Sequence, residues 1–233
     1  MNSRKPAAPT SGLGHGYGEP ALTAESERPE ADDLRTIAWE DEATFRVLSY
    51  YFILRWNDER VGQHARRLLR RFAVAPDLRE EFNAPVFGSN RTYSLVRREG
   101  DGEEPAFALF YGDDSLVASH AASIVLDHLF WHVNTHAFRT TGDFFLIHAG
   151  AVTSPAHVAI LLSGPPGSGK STLVTALVRA GFGYLTDEAA AIDPISRLVH
   201  PFPRPIALKR PPGDFFPGLQ PLSEDPDLAP MAC

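Results

Sequence analysis

The chain has 233 residues, a formal net charge of −7, 43% hydrophobic and 22% charged residues, proportions ordinary for a globular chain of one large or two small domains. The acidic balance argues against broad electrostatic binding to nucleic acid or to an anionic membrane. The single cysteine, Cys233, leaves no internal disulfide, and with no signal pattern and no apolar run near the ~18 residues of a membrane span the expected location is cytoplasmic.

Residues 1–34 are rich in Gly, Pro, Ser, Ala and Glu, have no apolar periodicity and read as a disordered leader. Its alternating glycines, Gly12 to Gly18, have no strand or helix beside them and read as flexible linker. Residues 35–141 read as a small α+β domain. The aromatic and β-branched run Phe45–Trp56 predicts a strand, Asn57-Asp58 a turn, and Glu59–Phe72 a helix with Val61, Ala65, Leu68, Leu69 and Phe72 on one face. Thr92–Arg97 and Pro105–Tyr111 predict strands parted by Glu99-Gly-Asp-Gly102. Gly112–Asp114 predicts a turn, and Ser115 to about Phe138 a long apolar helix. On that helix His128, His132 and His136 share one face. No cysteine or carboxylate pattern completes a metal site with them, so packing or surface histidines are expected, with metal binding as the alternative. Arg66, Arg67, Arg70 and Arg71 form a basic patch, either a solvated face or a landing site for an acidic segment.

A second unit spans residues 142–210, with 211–233 a proline-rich irregular tail. Phe144–His148 runs on into Ala149–Thr153, Ser154-Pro-Ala156 turns the chain, and the apolar run His157–Ser163 returns as a hairpin strand. It feeds Gly164-Pro165-Pro166-Gly167-Ser168-Gly169-Lys170-Ser171, a full match to G-x-x-x-x-G-K-[ST]. Thr172–Ala180 continues with helical spacing and stops at Gly181. Strand, glycine loop and helix is the setting in which backbone N–H groups and a helix N-terminus hold a triphosphate. Lysine is scarce, occurring only at Lys5, Lys170 and Lys209, so Lys170 inside the pattern is not a product of abundance. Lys170 is expected on the phosphate oxygens, and the Ser171 hydroxyl, with Thr172 on the following turn, on Mg²⁺. Phe182–Thr186 predicts a further strand ending in Asp187-Glu188, where a metal-holding acid or a general base fits. The expected fold class is therefore α/β, a small α+β domain followed by a P-loop domain.

Ile147-His-Ala-Gly-Ala-Val152, the loop with its flanks from Leu161 to Leu173, and Ala180-Gly-Phe-Gly-Tyr-Leu-Thr-Asp-Glu188 together resemble the catalytic domain of HPr kinase/phosphorylase and its HPr-kinase-related relatives. Pro201–Lys209 extends the resemblance to a downstream proline-rich segment with a lysine. The resemblance covers about residues 144 to 210. It implies a mixed-sheet P-loop fold shared with phosphoenolpyruvate carboxykinases, ATP and Mg²⁺ as cofactors, and a serine hydroxyl of a protein or peptide as acceptor. It also implies Asp187 as general base and metal ligand, Glu188 in place of a frequent Asp as its neighbour, and His148 as the active-site histidine. Pro165-Pro166 depart from the Asp-Ser-like residues of HPr kinases proper. That favours the looser related group, some members of which modify ribosomally made peptides, and leaves phosphorylase activity unsupported.

After Lys209 prolines interrupt the chain too often for a buried strand or helix. His148 to Lys209 holds material for roughly five short strands and one helix, thin for a complete nucleotide domain. The expectation is a short or truncated member of the family that either binds nucleotide poorly or needs a partner chain to complete its core, with a homo-oligomer as a further expectation. Three functions are open at this point: an ATP-dependent serine kinase, a non-catalytic nucleotide-binding accessory protein, and a P-loop kinase of a small molecule.

Overall fold

The structure, a computed structural model, describes residues 34–75, 91–99 and 106–202, with the single positions 206, 216 and 228. The leader as far as residue 33, the turn expected at 99–102 beyond Glu99, and most of the segment after 202 lie outside the described residues. The chain has mixed α/β content built around a five-stranded mixed sheet of β1 (Asp41–Val47), β2 (Tyr50–Trp56), β3 (Thr92–Arg98), β4 (Ala106–Tyr111) and β5 (Asp114–Ser119), in that spatial order. Only β2 and β3 run parallel, and α1 (Glu59–Leu68) lies in the connection between them.

Period-two alternation aims Tyr50, Phe52, Leu54 and Trp56 of β2 at one face, all nearly or fully buried. They join Phe45, Leu109, Val61 and Ala65 and the apolar side of α2 (Ala122–Thr140) in the main core. Each such buried aromatic or aliphatic side chain stabilises by about 1.5–3 kcal/mol relative to exposure. The opposite face carries a smaller cluster of Val96, Ala108, Phe110 and Ala118 with Leu34. Leu34 is buried, so packing begins within the stretch that composition reads as leader.

Three boundaries differ from expectation for local reasons. Phe45–Trp56 is not one strand but belongs to a hairpin, with Val47 opposite Tyr50 and a two-residue turn at Leu48-Ser49. Leu48 takes φ 55°, a conformation usually left to Gly or Asn, and no turn residue advertises it. Side chains hold the turn instead: Arg46 Nε donates to the Leu48 carbonyl at 2.8 Å and Ser49 Oγ to Asp143 Oδ2 at 3.1 Å. Ser115–Ser119 is strand rather than helix, because it pairs antiparallel with β4, and the helix starts only at Ala122. The earlier helix ends at Leu68, and Arg70–Phe72 tighten into a 3₁₀ turn. Its N-cap is Asp58, whose carboxylate accepts the Val61 N–H at 2.9 Å.

His128, His132 and His136 lie on α2 as expected. His128 Nδ1 sits 3.2 Å from the Ile124 carbonyl, and His132 Nδ1 is 2.8 Å from the Tyr93 hydroxyl. The His132 and His136 rings lie tilted to each other with centroids 4.4 Å apart, among Tyr50, Tyr93 and Tyr111. Burial first, then His136, Arg139 and His128, depress His132 to about 4, and burial and Arg139 also lower His136. Burial pushes the Tyr93 and Tyr50 hydroxyls well up, so both keep their protons. Among the described residues no group of three or more His, Cys, Asp or Glu could hold a metal ion.

The remaining strands form two three-stranded sheets. One is β8 (Ala159–Ser163), β7 (Ala149–Thr153) and β9 (Gly183–Thr186), with β7 central. The other is β11 (Val199–His200), β10 (Ala190–Ile192) and β6 (Phe145–Ile147). Phe144–Thr153 is thus not continuous, since the chain changes sheet at His148. Phe202 links these parts to the first core. Its N–H donates to the Leu185 carbonyl at 2.8 Å, and its ring lies 5.7 Å from Phe72 and 5.5 Å from Phe138. Phe216 and Leu228 in the tail are buried as well. No helix among the described residues is long and apolar enough to cross a membrane.

Candidate functional site

Strand register brings the sequence candidates to one end of one sheet. β8 and β9 both run antiparallel to β7, so they are parallel to each other on either side of it. Ser163, the last residue of β8, faces Ala149, and Thr186, the last residue of β9, faces Ala151. The glycine loop after Ser163, the acidic pair after Thr186 and His148 before Ala149 therefore leave the same edge.

The loop from Gly164 to Gly169 opens directly into α3 (Lys170–Arg179). Gly167 and Gly169 take φ 80° and 87°, and Gly169 is the N-cap. A side chain at Gly169 would oppose that left-handed turn, which leads the backbone N–H groups of Lys170 and Ser171 toward the loop. Pro165, Pro166, Gly167 and Ser168 are exposed, Gly164 and Lys170 half-buried. The Ser168 N–H donates to the Pro165 carbonyl at 3.2 Å, closing the loop as a turn. Lys170 Nζ donates to the carbonyls of Gly164 at 2.8 Å and Pro165 at 3.2 Å. The ammonium thus lies across the loop, held by two neutral acceptors that an anion can replace. Ser171 stands half-buried in the first turn of α3, with Thr172 exposed beside it. An exposed glycine loop, a lysine across it and a hydroxyl at the helix start fit a phosphate-bound Mg²⁺ ion.

Close packing sets the helix on the sheet. A Cβ added at Gly150 of β7 would stand 2.6 Å from Val174 Cγ2, so only glycine lets α3 approach this strand. Val174 itself is fully buried. At the far end Gly181, φ 96°, stops the helix as expected, and the Phe182 N–H returns to the Leu177 carbonyl at 3.1 Å.

The acids diverge. Asp187 is only 4% exposed and accepts the Tyr184 hydroxyl on Oδ1 at 3.0 Å. Glu188 has a different partner: its Oε1 lies 3.8 Å from His148 Nδ1. That contact joins two candidates from different connecting segments, the one between β6 and β7 and the one after β9. The Thr186 hydroxyl accepts N–H groups of Glu188 at 3.2 Å and Ala189 at 3.4 Å and so shapes the turn presenting both acids. Tyr184 and Thr186 are parts of the site that the sequence reading misses. Their only signal is a hydroxyl one or three residues ahead of an acid, which is too common to select. Lys209 lies outside the described residues.

β8, which carries the loop, pairs with β7 alone among the described residues. Its Ile160 and Leu161, with Leu173 of α3, are exposed. The chain matches no protein-family model, no curated protein and no solved structure.

Proposed function

We propose that this protein is an ATP-dependent kinase of the HPr-kinase-related type, which moves the γ-phosphoryl group to a serine hydroxyl of a protein or peptide. The observation that carries the reading is the shared edge: glycine loop, His148 and the Asp187-Glu188 turn leave one end of the β8-β7-β9 sheet. Phosphoryl transfer asks a protein mainly for positioning and for stabilisation of charge on the equatorial oxygens. The loop N–H groups and Lys170 supply that charge stabilisation once Lys170 leaves the Gly164 and Pro165 carbonyls. Ser171 and Asp187 would hold Mg²⁺, which would supply charge neutralisation to the bound phosphates. Asp187, the buried carboxylate at the end of β9, takes the proton of the acceptor hydroxyl. His148 lies beside Glu188 rather than Asp187.

The test is transfer of ³²P from labelled Mg-ATP to a serine-containing peptide library, with Lys170→Ala alongside. The expected loss in the variant is about 100-fold or more with the fold retained. Equal transfer by both proteins would refute the assignment. A second reading, a nucleotide-binding accessory protein without catalysis, is favoured by the outer edge of β8, which no strand among the described residues covers, and by the exposed Ile160, Leu161 and Leu173 around the loop's support. ATP binding without transfer to peptide would select it, and transfer to a small molecule alone would select the small-molecule kinase.

A further inference from the structure

Tyr184 and Asp187 are three residues apart on β9 and the turn that follows it. In a regular strand that odd spacing sends their side chains to opposite faces. Here the pairing with β7 skips a residue, since Ala151 faces Thr186 and Val152 faces Tyr184, leaving Leu185 as an inserted bulge. A bulge bends its strand and re-aims the neighbouring side chains. The bulged peptide is anchored from outside, because the Leu185 carbonyl accepts the Phe202 N–H at 2.8 Å. With the bulge in place the Tyr184 hydroxyl reaches Asp187 Oδ1 at 3.0 Å.

From this geometry we infer that Tyr184 is a positioning residue for the Asp187 carboxylate in phosphoryl transfer, an inference that rests on the kinase reading above. A carboxylate turns easily about its terminal torsion, which is broad and nearly two-fold. One donor on Oδ1 fixes that rotation and with it the direction of Oδ2, which is closed from solvent in this structure and must be uncovered to meet the acceptor hydroxyl or the metal. A phenol does this without bringing a positive charge, so the carboxylate keeps its full charge for the proton or the cation. Lysine or arginine in the same place would compete with both. Glu188 has a different partner, His148, so the two adjacent acids are held separately.

The experiment uses the full chain and Tyr184→Phe, which keeps the ring and removes the hydroxyl. Transfer of labelled phosphate from Mg-ATP to water and to a serine-peptide library is measured against Lys170→Ala as zero. Melting temperatures are taken for Tyr184→Phe, Asp187→Ala and the double variant. The expected result is a kcat lowered about 10-fold with KM for ATP within about twofold of wild type. The double variant should melt no lower than the less stable single variant, since both remove one shared bond. Wild-type turnover with Tyr184→Phe matching it, or melting shifts that add, overturns the role of Tyr184 and leaves the kinase reading standing. A wild type with no transfer above Lys170→Ala overturns the kinase reading, and the role with it, whatever the melting temperatures give.

Discussion

The Thr186 hydroxyl accepts two backbone N–H groups, from Glu188 and Ala189, on a side chain with no exposed surface. Thr186→Val keeps the shape and volume but leaves those donors buried without their acceptor, a loss of about 1–3 kcal/mol. A urea midpoint that falls for Val and stays near wild type for Thr186→Ser checks it, and a Val variant as stable as wild type would contradict it. Legibility at this scale follows chemistry. The glycines and Lys170 can be read from sequence because left-handed turns and phosphate contact accept few other residues. Tyr184 and Thr186 cannot, since a hydroxyl in a β-strand is ordinary until the bulge at Leu185 and the turn after it are known. Leu48 makes the same point, a left-handed turn residue held by Arg46 and Asp143 rather than by its own type.

The contact between α3 and β7 turns on Gly150. Gly150→Ala brings a methyl to 2.6 Å from Val174 Cγ2, inside van der Waals contact. Val174 is fully buried, so the helix must shift or the side chain leave its rotamer, a cost of about 1–3 kcal/mol. Adding Val174→Ala makes room, and the double variant should recover part of the midpoint lost by Gly150→Ala. Additive losses in chemical denaturation would place the strain elsewhere. Elements with strong local signals are legible in the chain: the β7–β8 hairpin, the helix opening on Lys170, and β3 and β4. Ser115–Ser119 is not, because its alanine and leucine suit a helix and only pairing with β4 makes it a strand. Nor is the break at His148, where one apolar run divides between two sheets with no glycine or proline to mark it.

Across the whole molecule the half-buried histidine pair sets a response to acid. His132 titrates near 4 instead of about 6.5, so below the ordinary value the unfolded chain binds a proton that the folded chain refuses. Stability is full above about pH 6.5 and falls as the pH drops through the window toward about 4, with His136 displaced in the same direction. The groups facing the pair are Tyr50, Tyr93, Tyr111, His128, Arg91 and Arg139, none of them a carboxylate. Urea midpoints at about pH 7.5 and about pH 4.5 should differ less for His132→Asn than for wild type, and an equal difference in the two proteins would contradict the assignment. Phe202 acts at this scale too, since its backbone belongs with β9 and its ring with the first core. Phe202→Ala should cost about 3–5 kcal/mol in global denaturation. Sequence places Phe202 in a proline-rich stretch, and its partners Phe72 and Phe138 lie too far along the chain for any local pattern to join them. The outer edge of β8 has a kinetic counterpart. Among the described residues β8 is paired on one side, which turns alternate amides toward β7 and the others away, so hydrogen exchange along Ala159–Ser163 should alternate between slow and fast. Any strand, copy or partner that settled on that edge would slow the fast set alone.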